Sequence, residues 1–202
     1  MSNKFTIMIK NSSLIFSIAS LLFLVQIIWF AVIGDLSGAW SDKIQSLNES
    51  WGRFNSISTI WKLEFLTASI IAWTAINMSE YSKWWNLVAI GHLLMLAEYA
   101  FMIGGYKLVQ TEEGFNLMNG LANWVFVASN MLWVLGMIGI YFKEKGILRY
   151  LGLVLSSVSF ILISLIFFDA GTQEQLVSTI MPALLLLYVL NSIVGIRIYK
   201  SS

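Results

Sequence analysis

The chain has 202 residues, of which 58% are hydrophobic and 11% are Asp, Glu, Lys or Arg; a soluble domain carries roughly 25% charged residues. With a mean hydropathy of +0.77, so many apolar groups could not be hidden in a soluble fold of this size without a large adhesive surface. A net charge of +1 gives no basic field for a nucleic-acid partner, and the absence of cysteine excludes disulfides, thiolate metal ligands and a Cys nucleophile. What remains is an all-α, polytopic integral membrane protein, a single transmembrane domain whose first partner is the lipid bilayer.

A helix needs about 20 apolar residues to cross the hydrocarbon. The first uncharged stretch lies between Lys10 and Asp35 and predicts a span over 12–34. Its apolar run is longer than that of a secretory signal, and no small-residue cleavage pattern follows, so it reads as a retained span. The segment 35–58 is polar and punctuated by Trp, and is expected to be an outer loop. Spans over 59–78 and 84–106 reach full length only by admitting Lys62, Glu64 and Glu98. The rival is a re-entrant hairpin with its turn at Ser79–Lys83, which would put further charges and free backbone groups in hydrocarbon. Two full crossings cost less. Uncharged stretches then predict spans over 118–142, 149–168 and 175–198, giving six in all.

Orientation follows from Lys and Arg. With the N-terminus inside, Lys4, Lys10, Lys83, Lys143, Lys145, Arg149, Arg197 and Lys200 are cytoplasmic, against Lys43, Arg53, Lys62 and Lys107 outside. Both termini are therefore expected to be cytoplasmic, in a plasma membrane or bacterial inner membrane. Asp35, Asp42, Glu49, Glu112, Glu113, Asp169 and Glu174 would decorate the outer face.

Trp29, Trp61, Trp84, Trp85 and Trp124 fall at the predicted interfaces and suit an aromatic belt, while Trp73 and Trp133 are deeper and should fill the bundle. Ala68, Ala72, Gly91, Gly104, Gly105, Gly136, Gly139 and Gly195 permit close helix approach, and Ser156, Ser157 and Ser159 could bond across helices. Pro182 removes one backbone bond from the last span and should bend it.

Ionisable residues within a span are costly, about 3 kcal/mol each at the helix centre. Glu64 and Glu98 lie on successive antiparallel spans. At 1.5 Å per residue both come to about 6 Å on the outer side of the midplane. His92 lies about 9 Å deeper and is rotated away from Glu98. Asn116, Asn119, Asn123 and Asn130 follow one side of the 118–142 span, and Gln26 sits at a similar depth on the first. These residues predict a polar pocket open to the outer face, with Glu64, Glu98, Asn123, Asn130 and Gln26 around it and His92 near the midplane. Two adjacent carboxyls could share one proton, which suits a small ligand, a cation or a proton. The plainer reading is that the acids bond Lys62, Asn123 or water and only fix helix register.

A lone histidine cannot supply bis-His haem ligation, and its helical phase argues against a metal site shared with Glu98. No cofactor and no metal are expected. No H-E-x-x-H, G-x-S-x-G or P-loop pattern is present. Three functions are compatible with these features: transport or binding of a small ligand or ion, a non-enzymatic subunit or assembly partner of a larger membrane complex, and an intramembrane enzyme acting on a lipid or quinone; a membrane-protein partner or a homo-oligomer is compatible with the same features. The first two are favoured over the third.

Overall fold

The computed structural model describes residues 3–33, 39–168 and 173–201. The described chain is helical, in the order α1 (Asn3–Ile33), α2 (Trp40–Ser50), α3 (Ile57–Met78), α4 (Trp84–Ala100), α5 (Glu112–Lys143), α6 (Ile147–Phe167) and α7 (Gln173–Ser201). All but α2 contain stretches long and apolar enough to cross a membrane, α4 together with the helical turns that carry it on to Leu108. The six expected spans are therefore present. Asp35, Asp169 and the side chain of Glu174, assigned to the outer face from sequence, lie outside the described residues.

Local chemistry sets the helix ends. Ser56 stands in extended conformation before α3, and its hydroxyl accepts from the Thr59 N–H at 3.3 Å. Thr111 does the same for Gly114 at the start of α5 (3.1 Å). Each satisfies an N–H that has no partner inside its helix. Glu112 and Glu113 then sit at the positive end of the α5 dipole and Lys143 at the negative end. Gly146 turns the chain into α6 at φ +66°, a region that suits glycine. The 35–58 segment differs from the expected loop. It contains α2, whose Ile44 and Leu47 are buried and which packs against α3 and α5. An eleven-residue amphipathic helix of this kind carries no span-like signal.

Each spanning helix packs against two others, in the cyclic order α1, α3, α4, α5, α6, α7 and back to α1. The outward faces expose Leu22, Val25, Leu66, Val154 and Ile161, which is tolerable against lipid and adhesive in water. Trp73 belongs to this outer surface at 54% exposure, not to the interior expected from its depth. Depth along a helix does not fix azimuth, and Trp73 faces away from the buried row of Ala68, Ile71, Ala72 and Ala75. Trp85, expected at the interface, is fully buried and meets Phe16 edge-on at 4.8 Å.

Small residues set the α4–α5 approach. A Cβ built on Gly91 would lie 2.7 Å from both the Ser129 carbonyl oxygen and the Trp133 backbone nitrogen. One on Gly136 would lie 2.9 Å from the Val88 nitrogen. Each glycine thus accommodates the opposing backbone, the close packing that holds helices together where lipid offers no hydrophobic drive. Among the described residues, no serine of α6 bonds across helices. Ser156 donates to the Gly152 carbonyl of its own helix, and the buried Ser159 hydroxyl has no partner. Cross-helix polar bonds include those of Tyr141, which donates to Asn191 (2.9 Å), and of Asn77, which donates to Ser12 (3.2 Å).

Candidate functional site

A layer of rings lies across the interior of the bundle. Trp133 stacks on Tyr188 with centroids 4.4 Å apart, and Phe23 packs against Tyr188 at 4.9 Å. His92 is wedged among these three side chains. Its Nδ1 lies 2.8 Å from the Val88 carbonyl oxygen. A carbonyl only accepts, so Nδ1 carries the proton and the buried Nε2 is left without a partner.

Beside this layer, toward the end of the bundle away from the chain termini, is a cavity of about 140 Å³. That is comparable with the ~150 Å³ that accommodates a benzene ring. Its walls come from α1, α3, α4, α5 and α7, and most are apolar or aromatic: Phe23, Ile27, Phe30, Trp61, Met95, Met102, Phe126, Met181 and Leu184. The polar groups are Glu64, Glu98, Tyr99, Asn130 and Tyr188.

The two acids are each 5% exposed. They are close enough to act on each other electrostatically, and both act on Tyr99 and Tyr188. The Tyr99 hydroxyl lies beside Glu64. Among the described residues, none donates a hydrogen bond to Glu98, and the buried Tyr188 hydroxyl is likewise unpartnered. Lys62 does not neutralise either acid. It is exposed, with its Nζ 5.8 Å from the Trp51 ring. No group of three or more His, Asp or Glu side chains capable of holding a metal is found among the described residues.

Of the residues singled out from sequence, Glu64, Glu98 and Asn130 meet at this cavity. Asn130 spends one amide hydrogen on the Phe126 carbonyl (2.8 Å). Gln26 stands apart, donating to Thr67 at 2.9 Å across the α1–α3 contact, with its buried Oε1 unpartnered. Asn123 is half-buried and does not line the cavity, and His92 lies behind the Phe23 and Tyr188 rings. Higher on α5, Asn119 accepts from the Tyr106 hydroxyl at 3.0 Å, and Asn116 is exposed.

Tyr99 and Trp61 were not legible as site residues. Tyr99 follows Glu98 directly, and an adjacent position on a helix points about 100° away. Here the cavity is broad enough to include both. Trp61 reads as an interfacial anchor, but it is 3% exposed and stacks on Tyr106 at 5.6 Å. A short π-helical stretch, Phe101–Gly105, follows α4 and carries the lining residue Met102. Such wide turns recur at functional sites.

The arrangement is a greasy chamber with a small polar end. It holds hydrogen-bond acceptors, two phenols and a surplus of carboxyl groups. No protein family model, curated protein or solved structure matches this chain.

Proposed function

We propose that this protein binds a small ligand, or a cation or proton coupled to one, inside the membrane, and serves its transport. The observation that carries the reading is the convergence of Glu64 and Glu98 on one cavity without a basic partner. Buried charge without a partner is expensive, and a chain selected only for stability would replace it. The excess of Lys and Arg at the end bearing the termini supports a cytoplasmic location for that end, and hence access to the cavity from the outer half of the bilayer. The ring layer of Phe23, His92, Trp133 and Tyr188 would then be the inner gate, which must repack for a ligand to pass.

The test is flux through the purified chain in proteoliposomes, with an entrapped pH-sensitive dye reporting proton movement under an imposed pH gradient. Wild type is expected to dissipate the gradient. Glu64→Gln and Glu98→Gln, with normal expression and elution, are expected to fall to the level of empty liposomes. Flux that is unchanged in both variants removes the proposal.

A further inference from the structure

Resting on that reading, we infer that the ligand is a lipophilic organic cation: a tertiary or quaternary ammonium on an apolar body of about the size of one aromatic ring. Three features of the cavity converge on this class. The first is charge. Its fully ionisable lining groups are both acids, Glu64 and Glu98, and no Lys, Arg or His lines it. A carboxylate, phosphate or sulfonate ligand would meet like charge with no counter-ion.

The second is the wall. Phe23, Trp61, Tyr99 and Tyr188 present aromatic rings around the acids. Ring faces attract cations, most strongly where water is excluded, and aromatic cages are a recurrent solution for quaternary ammonium groups. An inorganic cation is poorly served. Calcium takes six to eight oxygen ligands and magnesium near-octahedral geometry, whereas this lining is mostly hydrocarbon. Met95, Met102 and Met181 complete it with flexible, polarisable side chains that adapt to an apolar body.

The third is the distribution of unmet hydrogen bonds. Glu64 already faces the Tyr99 hydroxyl. Glu98 has no donor, and the buried Tyr188 hydroxyl has no partner. The cationic head therefore belongs against Glu98, with Tyr188 beside it and the apolar body toward Ile27, Phe30 and Met181; a tertiary ammonium donates its N–H there, and a quaternary head, which has no N–H, is held by charge and the ring faces alone. Glu98 is the principal recognition residue and Glu64 the secondary one.

Phenyltrimethylammonium and tert-butylbenzene have nearly the same shape and differ by one positive charge. Their binding to the purified full-length chain can be compared by equilibrium dialysis in nanodiscs. Empty nanodiscs and the Ile27→Trp protein, whose larger side chain fills the cavity, serve as blanks. The cation is expected to bind at least about tenfold more tightly than its neutral isostere. Glu98→Gln should erase that preference while tert-butylbenzene binding persists, and Glu64→Gln should reduce it by less. Equal or tighter binding of tert-butylbenzene by wild type would overturn the cation assignment and leave the small-ligand reading standing. Binding of neither compound would also overturn the cation assignment, and the flux measurement would then decide the wider reading. The wild-type comparison decides the matter even if a Glu variant fails to fold.

Discussion

Gly91→Leu is expected to destabilise the folded chain by about 3 kcal/mol, the upper range for overpacking a tight contact. The reason is what the new side chain would strike. Its Cβ would fall within 2.7 Å of the Ser129 oxygen and the Trp133 nitrogen, which are backbone atoms and cannot swing aside. Relief requires α4 and α5 to separate. Met95, Glu98 and Tyr99 on α4 and Phe126 and Asn130 on α5 line one cavity, so the site should be lost with the contact. Gly104→Ala is the control, because a Cβ there meets nothing within 4 Å. Reversible unfolding in mixed micelles, followed by circular dichroism, measures both. A Gly91→Leu protein within about 0.5 kcal/mol of wild type, the range of neutral surface changes, would contradict the α4–α5 approach described above.

Tyr188→Phe should act in opposite directions on stability and function. The hydroxyl is buried without a partner, and leaving such a group unsatisfied costs about 1–3 kcal/mol. Phenylalanine keeps the ring that stacks on Trp133 and packs against Phe23. The unliganded variant is therefore expected to be more stable by about 1 kcal/mol. It should nevertheless bind phenyltrimethylammonium less well, since the hydroxyl lines the polar end of the cavity. The same micelle unfolding experiment, with and without the cation, reads both changes. A variant that loses stability would mean that the Tyr188 hydroxyl is satisfied, and the case for a group held in reserve for a ligand would fail.

The spans could be read from sequence because uncharged runs and the minimum length of a crossing helix leave few alternatives. That Glu64 and Glu98 come to one level of the bundle was equally accessible, since rise per residue is fixed and the helices run antiparallel. Azimuth was not. Trp73 and Trp85 exchanged their expected places because hydropathy in an all-round apolar helix does not say which face meets lipid. Gln26 and Asn123 have the right depth but sit beside the cavity and not on it. Tyr188 and Asn191 are a polar pair three residues apart on the last span. The structure divides that pair: Tyr188 lines the cavity, and Asn191 receives Tyr141 from α5. The α2 helix was missed because a short amphipathic segment resembles a polar loop in composition.

The account depends on two acids sharing a chamber that small molecules can enter from within the membrane. Diisopropylcarbodiimide, an apolar reagent, tests this directly. It adds to a protonated carboxyl and leaves a stable N-acylurea that peptide mass spectrometry locates. In intact membranes, label is expected on Glu98 and Glu64, with Ile27→Trp protecting both. Label confined to the exposed Glu49, Glu112 and Glu113, with Glu64 and Glu98 unmodified, would contradict an accessible acidic cavity.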